Sequence, residues 1–318
     1  MTATAPRVFG IHDLPPIGPA ALVMGAFDGV HVGHAAMLAA TREAAARLGV
    51  RSVALVFEPH PDEVLRPGTR VPRLAPLATT LRRIVIDQGL DHAVPLRFDD
   101  HLRSLTAEEF LAAMVPRIEV RALVMSPESA FGRDRGGTVE RMREHGAEAG
   151  FEVVTVEPVL VDGEVVSSTR QRAAIAAGDV PTALALGYPP RLEGTVVEGD
   201  HRGRELGYPT ANLAFDYLPA MPANGIYVGE VAVPERDVGP HHPALVSVGV
   251  RPTFHADGQV LVEAHLLDFD GDLYGAHLAL DLLARLRDEQ RFDSVDALVG
   301  QMHRDEVAAR AFLLRRRG

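Results

Sequence analysis

The chain has 318 residues, which is enough for about two domains with sizeable hydrophobic cores. Its formal net charge of −11 argues against a nucleic-acid or anionic-membrane partner, because neutralising many phosphates requires a basic surface. The lack of cysteine excludes disulfides, thiol nucleophiles and zinc sites built on cysteine. The N-terminus has no apolar signal segment, and no apolar run approaches the roughly 20 residues of a membrane span. We therefore expect a cytoplasmic protein with no nucleic-acid or membrane partner.

Strand and helix patterns alternate through the first half of the chain. Short apolar runs predict strands at residues 21–27, 50–59, 91–98, 120–126 and 151–161. Helical patterns follow at residues 34–49, 79–89, 106–118, 138–150, 167–178 and 180–187. Gly49 is expected to end the first helix and Thr106 to cap the third. This alternation predicts an α/β domain with a doubly wound parallel sheet, in which ligands bind at the carboxyl ends of the strands.

The pattern changes near residue 187. Strand-like runs separated by Gly and Pro turns cover residues 192–199, 225–233, 241–250, 260–269 and 277–286, and a helical tail covers residues 294–317. This density of strands predicts a small antiparallel β-barrel domain with a C-terminal helix. The expected domains are residues 1–187 and 188–318. The segment DFDGDLYG, residues 268–275, is interpreted as a hairpin turn.

The segment GAFDGVHVGH, residues 25–34, joins the first predicted strand to the first helix. Helix N-terminal amides favour an anion at such a junction, and Gly29 and Gly33 would let a phosphate approach the backbone. His31 and His34 are three residues apart at the helix start, so they should project to one side. Such a pair can donate hydrogen bonds to phosphate oxygens that gain charge in a transition state. It could instead bind a metal ion, although no third ligand has a matching spacing.

A second glycine-rich segment, LEGTVVEGDHRGRELGYPTANL, covers residues 192–213. Thr210 and Asn212 are two apart on a predicted strand, so they should face the same side, and their oxygens suit Mg²⁺. Glu263 lies in an otherwise apolar strand, with Val262 and Ala264 expected on the other face. An acid in that position either faces water or lines a site, and a phosphoryl acceptor hydroxyl needs a base or an orienting acid.

These segments, with FEPHP at residues 57–61 and SSTRQR at residues 167–172, resemble the bacterial bifunctional riboflavin kinase/FMN adenylyltransferase (FAD synthetase) family. GAFDGVHVGH looks like the H-x-G-H signature of nucleotidyltransferases, and GDHRGRELGYPTAN matches the riboflavin kinase signature. The resemblance implies a Rossmann-like nucleotidyltransferase domain followed by a kinase barrel. It implies that the protein phosphorylates riboflavin to FMN with ATP, and adenylylates FMN to FAD with release of pyrophosphate.

The resemblance also implies roles for individual residues. His31 and His34 would stabilise the α-phosphate of ATP during adenylyl transfer. Glu263 would be the kinase base, with Thr210 and Asn212 on Mg²⁺. The implied nucleotide-binding residues are Gly25, Phe27, Asp28, Gly29, Phe131, Gly132, Ser167, Ser168, Thr169 and Arg170 in the first domain, and Gly199, Arg202, Gly203, Arg204, Gly207 and Pro209 in the second. The implied flavin-binding residues are Arg287, Glu289, Arg291 and Phe292.

Two stretches of the first half depart from the family pattern. Residues 125–132 read MSPESAFG where the family usually has V-G-x-D/N-F-x-F-G, and the helix at residue 79 begins TTLRR instead of carrying Glu-Glu-Lys. Both changes fall around the expected adenine and FMN positions. One alternative is therefore a riboflavin kinase whose N-terminal domain has lost or altered adenylyl transfer. A non-catalytic flavin- or nucleotide-binding regulator is another, and the intact histidine pair and Glu263 count against it.

Overall fold

The structure of the chain, a computed structural model, describes residues 5–199, 207–250 and 260–317. Contacts between residues divide it into two compact units. Among the described residues, the first unit contains 5–71 together with Pro76–Ser168, and the second contains Pro72–Ala75 together with the residues from Thr169 onward. No helix in the described ranges is both long enough and apolar enough to cross a membrane.

The first unit is built around a five-stranded parallel sheet in the order β3-β2-β1-β4-β5. Its strands are β1 (Gly18–Gly25), β2 (Arg51–Glu58), β3 (His92–Arg97), β4 (Ile118–Met125) and β5 (Glu152–Thr155). Its helices are α1 (Val32–Leu48), α2 (Pro61–Leu65), α3 (Leu77–Arg82) with a π-helical turn at Arg83–Asp87, α4 (Asp100–Ser104), α5 (Ala107–Met114) and α6 (Val139–Ala149). Short 3-10 turns occupy Asp28–Val30 and Arg133–Arg135. The predicted parallel α/β fold is confirmed.

Local signals in the sequence set several of these boundaries. Gly49 ends α1 in the left-handed conformation with a φ angle of 66°, as expected for a glycine C-cap. Thr106 caps α5 in a reciprocal capping box with Glu109. The single strand predicted over residues 151–161 is wrong, because the chain forms β5 and then a separate two-stranded ribbon of β6 (Leu160–Val161) and β7 (Glu164–Val165). Pro158, which has no N–H to donate to a ladder, lies in the break.

The second unit contains a closed barrel of six antiparallel strands in the order β10-β11-β12-β9-β8-β13. The strands are β8 (Arg191–Val197), β9 (Ala211–Ala214), β10 (Gly225–Val233), β11 (Val238–Val250), β12 (Val260–Leu266) and β13 (His277–Arg287). A 3-10 turn occupies Pro234–Arg236, and the helices are α7 (Ser168–Ala176), α8 (Val180–Leu186) and α9 (Val295–Arg317). The predicted barrel with a C-terminal helix is confirmed.

Along the barrel strands, every second side chain points into the core and fills it. Val262, Ala264 and Leu266 of β12 are buried in the barrel core, so Glu263 lies on the outer face, as the sequence predicted. The interpretation of residues 268–275 as a hairpin turn is wrong. In the barrel β9 and β8 lie between β12 and β13, so this segment connects two strands that are not neighbours. The domain boundary at residue 187 stays a prediction.

Candidate active sites

The turn between β1 and α1 has a strained backbone. Phe27 and Val30 have φ angles of 48° and 49°, and Gly29 has a φ angle of 78°. Non-glycine residues rarely occupy this left-handed region, so the surrounding structure must hold them there. Phe27, Asp28 and Val30 are all buried. This strained and buried turn fixes the position at which α1 begins.

His31 and His34 are in direct contact at the start of α1. His31 is the N-cap, and its Nδ1 accepts a hydrogen bond from the backbone N–H of His34 at 3.2 Å. The two imidazole rings stack with centroids 3.6 Å apart, and the Phe27 ring lies 5.1 Å from that of His34. Gly33 leaves room for the pair, since a Cβ there would lie 3.2 Å from the His31 ring. The prediction that both histidines project to one side is confirmed.

The environment of His34 keeps its imidazole neutral. Burial lowers the pKa of His34 well below its usual value, and the neighbouring His31 lowers it further. Within the described part of the chain, the Nδ1 atom of His34 is buried and has no hydrogen-bond partner. A buried unpaired nitrogen costs folding free energy, so native proteins keep few of them. The stacked histidine pair is held at the N-terminus of α1, where helix amides favour an anion.

Two side chains from distant parts of the first unit brace the turn. Ser168 donates from Oγ to the carbonyl oxygen of Asp28 at 3.0 Å, which joins the SSTR segment to the histidine turn. Arg83 is 2% exposed and donates from Nη1 to the carbonyl oxygen of Gly29 at 3.1 Å. Sequence reasoning missed Arg83. The signal was present in TTLRRI, because helical spacing sets Arg83 on the same face as the buried Thr79.

The other residues predicted around this nucleotide site are distributed over β1 and α7. Gly25 is the last residue of β1, and Ser167 is half-buried just before α7. Thr169 is exposed and Arg170 is half-buried in the first turn of α7, and both belong to the second unit. The SSTR segment therefore starts a helix, as the sequence predicted.

Phe131 and Gly132 lie beyond the carboxyl end of β4, the strand next to β1. Phe131 packs edge-on against Phe110 of α5, with ring centroids 5.7 Å apart. Gly132 has a φ angle of 74°, and a Cβ there would lie 2.5 Å from the backbone nitrogen of Ala107, so the position requires glycine. Phe131 also pairs with Gly137 through its backbone, and none of these contacts is with the histidine pair.

The MSPES stretch, which departs from the family pattern, forms a tight turn at the end of β4. The carbonyl oxygen of Ser126 accepts hydrogen bonds from both the backbone N–H and the hydroxyl of Ser129, at 3.0 and 2.7 Å. Arg135 donates to the carbonyl oxygen of Glu128 at 3.2 Å. The changed sequence is therefore accommodated by local hydrogen bonds.

The second candidate site is a row of residues across the outer face of the barrel. Strand pairing connects Asn212 on β9 to Glu263 on β12, and Glu263 to Ser247 on β11. Ser247 is paired with Ile226 on β10, which is paired in turn with Arg287 on β13. Directly opposed residues of antiparallel strands have Cβ atoms about 4.5–5.5 Å apart on the same face. The barrel therefore brings together the predicted base and one predicted metal ligand, whereas the predicted flavin residue Arg287 lies three strands away from Glu263.

Thr210 and Asn212 flank the start of β9. Asn212 is 9% exposed, and its amide packs under Gly199, where a Cβ would lie 2.3 Å from Nδ2. Thr210 and Pro209 line a cleft of about 360 Å³ together with residues 269–274. The other residues that line it belong to the barrel core: Val196, Ala211, Ala264 and Leu266. Gly207 has a φ angle of 84°, which favours glycine. The predicted residues Arg202, Gly203 and Arg204 lie outside the described residues.

The predicted flavin segment follows β13. Arg287 makes a two-pronged ion pair with Asp305 of α9, with N–O distances of 2.6 and 3.0 Å, and this pair ties α9 to the barrel. Phe292 lies 6.0 Å from the Arg287 guanidinium. Glu289 covers Gly249 of β11, where a Cβ would lie 2.1 Å from the carboxylate, and Arg291 is exposed.

Oxygen donors at the barrel site fit Mg²⁺. This ion prefers hard oxygen ligands, and it takes few of them from the protein when substrate phosphates supply the others. The Thr210 hydroxyl and the Asn212 amide oxygen are donors of this kind. Among the described residues, no group of three or more histidines and carboxylates could hold a metal ion. In that part of the chain, His31 and His34 therefore have no third ligand with which to bind a metal.

Comparison with protein families matches both halves of the chain. Residues 16–170 match the FAD synthetase family model, and residues 186–313 match the riboflavin kinase family model. A bifunctional riboflavin kinase/FMN adenylyltransferase of Pseudomonas fluorescens is 39% identical over 307 residues, which are 96% of each chain. The Escherichia coli K12 protein of the same name is 35% identical, over 95% of this chain and 96% of that one.

The chain belongs to the bifunctional riboflavin kinase/FMN adenylyltransferase family. It is therefore a transferase, with FMN adenylyltransferase in the N-terminal half and riboflavin kinase in the C-terminal half. A crystal structure of a Streptococcus pneumoniae protein, described as a macrolide-efflux protein, has a TM-score of 0.85 and 32% identity, covering 95% of this chain and 98% of that chain. That similarity supports the fold of both units.

Proposed function

We propose that the turn after β1 is the adenylyl-transfer site, in the half formed by residues 1–187. A phosphate oxygen of FMN attacks the α-phosphorus of ATP, the bond to the β-phosphate oxygen breaks, and pyrophosphate leaves with the electron pair. His31 and His34 stabilise the negative charge that builds on the α-phosphate oxygens. Ser168, which is bonded to the turn, and the backbone of the turn bind the remaining phosphates.

The row on the barrel is the proposed riboflavin kinase site, in the half formed by residues 188–318. The oxygen of the riboflavin 5′-hydroxyl attacks the γ-phosphorus of ATP, Glu263 accepts the proton of that hydroxyl, and ADP leaves. A bound Mg²⁺, held by Thr210 and Asn212, would neutralise charge on the phosphates. The segment from Arg287 to Phe292 contacts the flavin.

One observation carries the kinase assignment. The pairing of Asn212 with Glu263 sets a metal-binding amide and a carboxylate on one face of the barrel, next to each other. Their sequence separation is large, so this arrangement is a product of the barrel and not of a local motif. For the adenylyl-transfer site, the stacking of His31 on His34 at the N-terminus of α1 is the corresponding support.

A product assay tests both sites in one chain. Purified protein is incubated with riboflavin and Mg-ATP, and FMN is resolved from FAD by chromatography. Both products support the proposal. If only FMN is formed, even with FMN and excess ATP supplied, the alternative is favoured: a riboflavin kinase whose N-terminal half has lost or altered adenylyl transfer. Bound flavin with neither product would indicate a binding protein.

The cytoplasmic location stays a prediction.

Two substitutions assign the residues. Glu263→Gln should abolish FMN formation while sparing FAD formation from supplied FMN, and His34→Ala should do the reverse. Glu230→Gln is the matched control for the first, since Glu230 is also a half-buried acid on a barrel strand, where its partner is His241. His145→Ala on α6 is the control for the second. A full kinase rate in Glu263→Gln would contradict its role as base.

A further inference from the structure

His265 connects the two strands that carry the proposed kinase residues. It lies two residues after Glu263 on β12, so both side chains are on the outer face of the barrel. Its Nδ1 lies 2.8 Å from the carbonyl oxygen of Pro209. A carbonyl oxygen can only accept, so Nδ1 carries the proton and donates. The Tyr208 ring packs edge-on against the imidazole, with centroids 5.2 Å apart.

The hydrogen bond lies where the ladder between β9 and β12 ends. That ladder has two pairs, Asn212 with Glu263 and Ala211 with Ala264, so the next opposed pair would be Thr210 with His265. Pro209, just beyond, has no backbone N–H and cannot continue the ladder. The imidazole therefore replaces backbone pairing in holding the chain at Thr210.

We propose that His265 is the positioning residue of the kinase site, acting through Pro209 to hold Thr210. Its bond fixes the Thr210 hydroxyl relative to Asn212 and Glu263, so that the groups for the metal and for the acceptor hydroxyl keep one geometry. This inference rests on the proposed kinase site. A misplacement of about 1 Å can cost a hundredfold in rate, which is why a single hydrogen bond at this point has a catalytic effect.

Three variants of His265 separate the hydrogen bond from simple packing. His265→Ala removes the donor, and the Mg²⁺ concentration for half-maximal kinase activity should rise about tenfold, with the KM for riboflavin unchanged. His265→Asn keeps a side-chain N–H at the same number of bonds from the backbone as Nδ1, so it should stay within about twofold of wild type. His265→Gln carries its N–H one bond further and should resemble His265→Ala.

The matched control is His242→Ala. The His242 imidazole makes the same kind of contact, 2.9 Å from the carbonyl oxygen of Leu267, but that carbonyl is remote in sequence from the proposed metal ligands. Its loss should leave the Mg²⁺ requirement unchanged. The KM for riboflavin serves as the control for barrel folding in every variant, and FAD formation from supplied FMN normalises the amount of active protein. A shift in the Mg²⁺ requirement in His242→Ala equal to that in His265→Ala would overturn the inference.

A double-mutant cycle with Thr210→Val decides whether His265 acts through Thr210. If it does, His265→Ala should have almost no further effect once the Thr210 hydroxyl is gone. A full additional effect in the double variant would overturn the positioning role while leaving the proposed kinase site in place. An unchanged Mg²⁺ requirement in Thr210→Val alone would overturn the proposed metal site itself, and with it the inference.

Discussion

Replacing Arg83 by methionine tests how the histidine turn is held. Arg83 is buried, and its guanidinium donates to the carbonyl oxygen of Gly29. Methionine has a similar length but no donor and no charge. We expect Arg83→Met to lower FAD formation from supplied FMN, and to leave FMN formation from riboflavin unchanged.

The magnitude follows from the carbonyl that the substitution leaves behind. A hydrogen bond from a charged donor contributes about 1.5–3 kcal/mol, and an unpaired buried carbonyl costs about as much. Gly29 lies two residues before His31 in a strained turn, so a freed carbonyl lets the turn relax away from its active geometry. The transition state of adenylyl transfer requires that geometry, so the free energy of restoring it is added to the activation barrier. Since about 1.4 kcal/mol is tenfold in rate, kcat/KM for FAD formation should fall about 10- to 100-fold.

The assay measures both reactions on the same preparation of Arg83→Met. Arg82→Met is the matched control, because the Arg82 side chain on the same helix is 50% exposed and its ion pair is with Asp87. That control should keep both activities, since exposed ion pairs contribute little. FAD formation within twofold of wild type in Arg83→Met would refute the reasoning. An equal fall in both activities would also refute it, because the effect would then lie in the stability of the whole chain.

Two further predictions concern Gly199 and His34. Gly199→Ala should raise the Mg²⁺ concentration for half-maximal kinase activity about tenfold or more, because the new Cβ would lie 2.3 Å from Asn212 Nδ2. The control is Gly239→Ala, where a Cβ meets nothing within 4 Å. Equal Mg²⁺ requirements in the two variants would contradict the packing argument. Burial and then the neighbouring His31 lower the pKa of His34 in the folded chain, so the unfolded chain binds the proton at this site more readily. The contribution of neutral His34 to the free energy of unfolding is therefore complete above about pH 6.5, and it is lost as the pH falls through the lowered pKa. Denaturant unfolding from about pH 7 to about pH 5 should show a steeper loss for wild type than for His34→Gln, and parallel curves would rule it out.

Features with a local cause were predictable from the sequence. The turn at residues 25–34 was found because Gly29, Gly33 and two histidines three apart carry their own backbone and spacing signals. Gly49 and Thr106 end and begin helices through contacts within a few residues of themselves. The alternation around Glu263 likewise identified its outward face before the barrel was known.

Only the tertiary structure decided how distant segments meet. Segment 268–275 has the composition of a hairpin turn, yet two other strands lie between β12 and β13 in the barrel. The burial of Arg83 against Gly29 and the bond from His265 to Pro209 join residues about fifty positions apart. Periodicity reports which face of an element is apolar, but strand order and register depend on packing between elements, which one sequence does not encode locally. The sequence alone therefore names candidate residues for each site, while the neighbours that hold them in place depend on the tertiary structure.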